Sequence, residues 1–144
     1  MVKLNLPACE YKVKEADGKV WIFDGIRKKF VVLTPEEWVR QHFIQYLINQ
    51  LGYPKSLIKV ETGLMYNRLT KRSDIVIFNR EGKPWMLVEC KAPDVALDEN
   101  ATRQLSVYNK TLNARYAVLT NGMKHFCFDM ADDGQSLKEL PTFD

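Results

Sequence analysis

The sequence is poor in cysteine, and its cysteines do not form close pairs. Its 144 residues include three, Cys9, Cys90 and Cys127, which lie far apart in the chain. A disulfide framework or a zinc site needs cysteines in matched pairs, so this spacing argues against both. We therefore expect reduced thiols.

Long apolar segments are missing as well. The first 18 residues lack the continuous apolar stretch of a signal peptide. No apolar run approaches the ~20 residues that a membrane-spanning helix requires. We therefore expect a cytoplasmic protein with no membrane partner.

A P-loop for ATP is also missing. A Walker A loop requires Gly-Lys followed by serine or threonine. The Gly-Lys pairs at residues 18–19 and 82–83 are followed by valine and proline. The sequence therefore offers no site for an ATP-driven motor.

What the sequence does contain is the residue balance of an ordinary globular protein. Hydrophobic residues make up 46% of the chain and charged residues 27%, which allows a substantial core. The length suits a single domain over residues 1–144. The net charge of +3 permits nucleic acid as a partner but does not require it.

The first third of the chain predicts strands followed by a helix. Residues 10–14 and 19–24 flank a hairpin turn, and residues 28–33 form a third candidate strand. Thr34 is the predicted N-cap of a helix over residues 35–51, with Glu37 as its capping-box acid and Gly52 at its end. We expect an N-terminal β-hairpin extension over residues 1–33 and a core over residues 34–129.

The rest of the chain predicts further strands and a second helix. The strands cover residues 57–61, 74–78, 84–91, 116–120 and 124–129, and the helix covers residues 99–112. Residues 75–78 and 85–88 within these strands are apolar on both faces, which indicates central strands covered on two sides. Asn121-Gly122 predicts a hairpin turn, and the tail after Ala131 predicts turn and surface. The pattern predicts a three-layer α/β domain around a mixed sheet.

Charged side chains interrupt two of these apolar strands. Asp74 opens one strand, and Glu89 and Lys91 end the next. Residues two apart in a strand project to the same face, so Glu89 and Lys91 point together. The strands are one hairpin apart, and antiparallel pairing would bring Asp74 to the Glu89 end. Ionised groups at the edge of a buried region are costly unless they are paired or bind metal.

These residue types suit phosphodiester hydrolysis. Two carboxylates and a backbone carbonyl, for which Cys90 is the candidate, are the hard oxygen ligands that magnesium prefers. A metal there would acidify water and polarise the phosphate, and Lys91 would stabilise the developing negative charge. An isolated Glu-x-Lys motif is more often an exposed ion pair. Asp74 on the neighbouring strand makes a catalytic site the favoured interpretation.

Five segments resemble a known family in their order along the chain. They are TPEEWVRQHFIQYLINQLGYP, KRSDIVIFN, LVECKAP, RQLSVYN and VLTNG. With them, residues 34–122 resemble the N-terminal nuclease domain of type I restriction enzyme R subunits, a PD-(D/E)xK nuclease. The resemblance implies a restriction-endonuclease-like αβββαβ core, the catalytic set Asp74, Glu89 and Lys91, and magnesium, for which manganese can substitute. Ser73 stands where the superfamily's name has proline.

The resemblance implies further site residues, each with a structural alternative. Glu37 would be a third metal-associated acid, or a capping-box acid. Gln104 and Tyr108 lie four residues apart on one helix face. Gln104 would belong to the catalytic set by helping to position Lys91 or the DNA. Tyr108 would contact DNA, or would pack in the core.

A basic segment precedes Asp74. Lys71 and Arg72, together with Arg68, could bind DNA phosphates as the chain enters the catalytic strand. The alternative is a solvated loop.

Two functions remain open from the sequence. The first is a stand-alone, magnesium-dependent DNA endonuclease that works as a homodimer or with a partner subunit supplying specificity or translocation. The alternative is a catalytically weak or inactive nucleic-acid-binding module of a restriction or DNA-processing complex. The target sequence and the choice between DNA and RNA are also open.

Overall fold

The computed structural model describes residues 1–60, 64–66, 69–71 and 75–143, with the backbone alone for residues 64–66 and 69–71. The N-terminal part is an antiparallel sheet of β1 (Val13–Ala16), β2 (Lys19–Asp24) and β3 (Lys29–Val32). Asp17 and Gly18, with φ of 53° and 71°, form the turn between β1 and β2. An Asp-Gly hairpin turn requires positive φ at both positions, so the predicted hairpin is confirmed, and so is the third strand.

Helix α1 (Pro35–Asn49) begins as the sequence predicts. The Thr34 hydroxyl accepts a hydrogen bond from the Glu37 N–H at 3.0 Å, which caps the helix. The predicted capping-box role of the Glu37 side chain is wrong. The Thr34 N–H donates to the Val32 carbonyl, and the Glu37 carboxylate turns to arginines, which are stronger, charged donors. The helix ends at Asn49, before the predicted end at residue 51.

Among the described residues, the elements that follow are two short 3-10 helices (Lys55–Leu57 and Met130–Asp132), helix α2 (Glu99–Leu112) and the strands β4 (Ile58–Val60), β5 (Leu64–Tyr66), β6 (Leu69–Lys71), β7 (Ile75–Phe78), β8 (Pro84–Cys90), β9 (Tyr116–Thr120), β10 (His125–Asp129) and β11 (Gln135–Leu137). Strands β5 and β6 pair with each other. The other six form the main sheet, in the order β11-β10-β9-β8-β7-β4.

The main sheet is mixed, as predicted. Strands β8 and β9 are parallel, and the other neighbouring strands are antiparallel. Ile75 of β7 lies opposite Val88 of β8, which confirms the predicted antiparallel pairing of these two strands. Strands β5 and β6 were not predicted. Asp74, predicted to open the strand that continues into β7, lies outside the described residues.

The two helices cover opposite faces of the main sheet. Val88 and Cys90 of β8 belong to one core with Phe43 of α1. Leu87 of β8 belongs to a second core with Leu105 of α2. The three layers confirm the α/β class, while the assignment to a restriction-endonuclease-like core stays a prediction. In the described part of the chain, neither helix is long and apolar enough to cross a membrane.

The Asn121-Gly122 turn is present but longer than a two-residue hairpin. Residues 121–124 join β9 to β10. The Asn121 side-chain carbonyl accepts hydrogen bonds from the N–H groups of Met123 and Lys124, both at 2.9 Å. Gly122 has a φ of +83°, and a Cβ there would lie 2.8 Å from the Leu4 side chain. These contacts support the structural interpretation of the pair.

The prediction of turn and surface after Ala131 is wrong. Strand β11 pairs with β10 and extends the main sheet. Farther on, the Phe143 N–H donates to the Leu51 carbonyl at 2.9 Å, and the Tyr53 hydroxyl donates to the Pro141 carbonyl at 2.7 Å. A three-residue strand that adds to an existing edge is held by backbone hydrogen bonds, which leave no side-chain pattern to read.

Candidate functional site

Strand β8 ends in the two charged residues predicted to be catalytic. It lies between β7 and β9, with Glu89 beside Leu119 of β9. Leu87 and Leu119 belong to the core under α2. Glu89 shares this face, because side chains two residues apart on a strand point the same way. Val88 and Cys90 face α1, so the predicted alternation along β8 is confirmed.

Lys91 is held near Glu89 by its backbone. Its N–H donates to the Thr120 carbonyl at 2.8 Å, which extends the pairing of β8 with β9. Its Nζ lies 3.5 Å from Oε1 of Glu89. Glu89 is 4% exposed, whereas the Lys91 side chain is 27% exposed and reaches solvent. A carboxylate buried to this degree needs positive charge nearby, and Lys91 supplies it.

Helix α2 carries Gln104 and Tyr108 over the face to which Glu89 points. The Asp98 carboxylate caps the helix by accepting a hydrogen bond from the Ala101 N–H at 2.9 Å. Leu105 anchors the helix in the core beneath it. Gln104 is exposed, and Tyr108 is half-buried at the margin of this core. Their roles in catalysis and DNA contact stay predictions.

Glu37 lies in a network of charged side chains at the start of α1. Its carboxylate accepts hydrogen bonds from Arg40 at 2.6 Å, from Arg27 at 3.1 and 3.2 Å, and from Gln41 at 2.8 Å. Glu37 and Arg40 are both buried. These partners suit a structural role, and the role of Glu37 as a metal ligand stays a prediction.

Asp24 joins this network to the N-terminal sheet. Its carboxylate accepts hydrogen bonds from the Arg27 backbone at 2.8 Å, from Arg27 Nε at 2.7 Å and from Gln41 at 2.9 Å. Burial raises the pKa of Asp24, but the hydrogen bonds from Arg27 and Gln41 outweigh burial and hold it below its usual value. The sequence analysis missed this network, although Asp24-Gly25 at a strand end is typical of an Asx-turn.

Several predicted residues fall beyond what the structure describes. Asp74, Arg72 and Arg68 lie outside the described residues, and Lys71 is described as the backbone end of β6. Within the described residues, no group of three or more His, Cys, Asp or Glu side chains could hold a metal ion. Asp74 is not covered by that statement. The metal site therefore stays a prediction.

The sequence of residues 35–143 decides the family. This segment matches the family described as the type I restriction enzyme R protein N terminus (HSDR_N). The chain belongs to this family. The resemblance carried by the five sequence segments is thereby confirmed. No curated protein matches the chain.

A solved structure shares this fold. It is described as a fragment of an HsdR subunit of a type I restriction enzyme from Vibrio vulnificus YJ016. The two chains are 21% identical, with a TM-score of 0.57, and the match covers 76% of this chain and 24% of that chain. At this identity the likeness shows the fold alone.

Proposed function

We propose that this member of the R-protein N-terminal family is an endonuclease that hydrolyses phosphodiester bonds in DNA. The observation that carries the proposal is the pairing of Glu89 and Lys91 at the end of β8, with 3.5 Å between Oε1 and Nζ. A nearly buried carboxylate is costly for stability even when it is paired. Its presence at the end of a central strand therefore favours a functional role.

The register of β7 on β8 supports Asp74 as the third member of the site. Ile75 lies opposite Val88. Asp74 directly precedes Ile75 in the sequence, and the site predicted from the sequence has Asp74 near Glu89. Two carboxylates and one ammonium would then share one end of the sheet.

These residues fit a magnesium or manganese ion. Asp74, Glu89 and the Cys90 backbone carbonyl would supply the hard oxygen ligands that both ions accept. Glu89 lies almost out of contact with water, where a divalent cation offsets its charge. Glu37 is the remaining candidate ligand, although its arginine partners favour a structural role. When bound, the ion would supply an acidified water and positive charge beside the phosphate.

The chain's own side chains have distinct roles in this proposal. The Lys91 ammonium donates to a non-bridging phosphate oxygen and stabilises the negative charge that grows there during attack. The Glu89 carboxylate holds that ammonium on the α2 face of the sheet. Four further residues position Lys91 or bind the DNA: Gln104, Tyr108, Lys71 and Arg72.

Partners form the last part of the proposal. The matched segment is 24% of the Vibrio HsdR fragment, so an R subunit contains much more than this region. Translocation and target choice are assigned to a partner subunit or to such further regions. Cleavage of both DNA strands without a partner would need a homodimer, in which each copy cuts one strand.

The test is cleavage of supercoiled plasmid DNA with magnesium or manganese. Glu89→Ala and Lys91→Ala are compared with wild type and with the matched controls Glu139→Ala and Lys138→Ala, which change exposed residues in the C-terminal tail. We expect the controls and wild type to nick or linearise the plasmid, the two site variants to leave it intact, and a chelator to stop all cleavage.

Three other results would change the assignment. Cleavage that persists in both site variants would point to a contaminant or to another site. DNA binding without cleavage by wild type would replace the enzyme with a binding module. Cleavage of RNA in preference to DNA would keep the chemistry and change the substrate.

A further inference from the structure

A cleft lined by three lysines lies at the outer edge of the main sheet. Lys28, Lys55 and Lys59 line it together with Gly25 and Ile58, and its volume is about 440 Å³. Lys28 follows β2, Lys55 opens the short 3-10 helix before β4, and Lys59 lies on β4 itself. We call this feature the lysine cleft.

The lysine cleft concentrates positive charge. All three lysines are exposed, and no acidic residue is found among the described residues that line the cleft. Among the described residues, none of the three forms an ion pair with a carboxylate. Like charges gathered in a concave surface raise the local positive potential and attract an anionic ligand.

Local structure positions two of these lysines, Lys28 and Lys55. Lys28 has a φ of +57°, which is uncommon for a residue with a side chain, and its N–H donates to the Asp24 carbonyl at 2.8 Å. Lys55 passes over Gly25, where a Cβ would lie 3.6 Å from Nζ of Lys55. The Lys55 ammonium therefore lies against Gly25 at the wall of the cleft.

One member of the lysine cleft, Lys59, lies near the proposed catalytic end of β8. Lys59 lies opposite Val76, and Val76 lies opposite Leu87, so Lys59 is two strands away from β8. Glu89 is two residues beyond Leu87. With ~4.8 Å between strands and ~3.4 Å per residue, the Cα atoms of Lys59 and Glu89 are about 12 Å apart. Along the axis of a duplex, at ~3.4 Å per base pair, that separation corresponds to at most about three to four nucleotides of one strand.

We propose that the lysine cleft binds the phosphodiester backbone of DNA a few nucleotides from the bond to be cut. The choice of DNA rests on the proposed function. The lysines act as point charges that contact phosphates, so they add affinity without reading sequence. The lysine cleft would then deliver the strand toward Glu89 and Lys91.

The test measures binding separately from cleavage. A fluorescent duplex is titrated with protein in the presence of a chelator, by anisotropy, over a range of salt concentrations. The cleft variant carries Lys28→Gln, Lys55→Gln and Lys59→Gln. A matched control removes three exposed lysines outside the lysine cleft: Lys110→Gln, Lys124→Gln and Lys138→Gln. A third variant replaces the three cleft lysines with arginine, and circular dichroism verifies folding of each.

We expect the cleft variant to bind DNA at least about tenfold more weakly at low salt. The slope of log affinity against log salt concentration should become shallower by about 2 to 3, because each lost phosphate contact removes ~0.9 from its magnitude. The control should lose less than about threefold, and the arginine variant should bind like wild type, because its charges remain.

Equal losses in the cleft and control variants would overturn the proposal and leave Lys59 as a charge that protects an edge strand from pairing. Absence of DNA binding by wild type would overturn it too. If the expected binding pattern is found but the protein never cleaves DNA, the nuclease assignment is wrong and the lysine cleft remains a DNA-binding site.

Discussion

Glu37 and Glu89 are both carboxylates withdrawn from water, at 6% and 4% exposure, yet their surroundings differ. Glu37 receives hydrogen bonds of 2.6 to 3.2 Å from two arginines and a glutamine. Glu89 meets the Lys91 ammonium at 3.5 Å, longer than the ~2.7–2.9 Å of a strong charge-assisted hydrogen bond. A carboxylate enclosed by rigid guanidinium groups stabilises the fold, whereas one beside a solvent-reaching ammonium suits a ligand.

The largest effect expected from this difference is on catalysis at Glu89 and Lys91. Lys91→Met should lower the rate of DNA cleavage by about 10²–10³-fold, as the loss of one group that stabilises transition-state charge does elsewhere. The free energy of unfolding should fall by less than the about 3–5 kcal/mol expected for breaking a fully buried pair, because Lys91 is partly solvated and its contact with Glu89 is long. Single-turnover cleavage and urea denaturation measure the two quantities.

Glu89→Gln provides the companion measurement. It preserves the shape of the side chain and removes its charge, so it should also abolish cleavage with little change in stability. A Lys91→Met protein that cleaves at the wild-type rate would remove this pair from the proposed site.

The largest effect on stability should come from Glu37. Glu37→Gln would remove the closer of two carboxylates from the guanidinium of Arg40, which is 3% exposed, since Glu37 lies at 2.6 Å and Glu36 at 3.8 Å. Removing one partner of a buried ion pair costs about 3–5 kcal/mol of stability. Urea denaturation of the variant without metal measures this loss. Thr34→Ala is the control at the same helix end, because it removes the N-cap for about 1 kcal/mol and leaves the charges in place.

The same variant decides the open role of Glu37. If Glu37→Gln keeps the wild-type stability and loses cleavage, Glu37 belongs to the metal site and the structural interpretation fails. If stability falls and the residual folded protein still cleaves, Glu37 is structural.

The sequence predicted the elements around Glu89 better than those around Glu37. The predicted bounds of α2 and β9, residues 99–112 and 116–120, are the observed ones, because local periodicity sets both. The shared face of Glu89 and Lys91 follows from the two-residue period of a strand. In both cases the information lies within a few neighbouring residues.

The network around Glu37 could not be predicted in this way. Asp24 ends β2 and Arg27 lies in the turn after it. Arg27 reaches Glu37 once the N-terminal sheet packs on α1. The sequence carried one local signal for Glu37, the capping box, and tertiary contacts with arginines replaced it. The same limit applies to the lysine cleft, where Lys28 and Lys59 are 31 positions apart.

A smaller effect should appear in the pH dependence of stability. The hydrogen bonds of Asp24 hold its pKa below the usual 3.8 in the folded protein. As the pH falls, the unfolded chain binds the proton at Asp24 before the folded protein does. The stability that this carboxylate contributes is therefore present above about pH 4 and is lost as the pH falls through the lowered pKa of the folded protein. We expect the stability gap between wild type and Asp24→Asn to narrow from pH 6 toward pH 3.

Urea denaturation at each pH measures this gap. The control is Glu139→Gln, since Glu139 is an exposed carboxylate in the C-terminal tail. A gap for Asp24→Asn that stays constant with pH would mean that the network does not hold the charged form of Asp24.

The smallest effect concerns the thiols, of which Cys90 reports on the α1 face of β8. Cys90 faces α1 and is fully buried, and burial together with the Asp129 charge raises the pKa of Cys127 to about 12. Cys9 is partly exposed, although burial raises its pKa as well. A thiol reagent at pH 8 should therefore label Cys9 first, and the other two after unfolding, because the thiolate is the reactive form. Peptide mass spectrometry gives the order. Rapid labelling of Cys90 in the native protein would mean that the end of β8 opens on the α1 face too, and the contrast between its two faces would be lost.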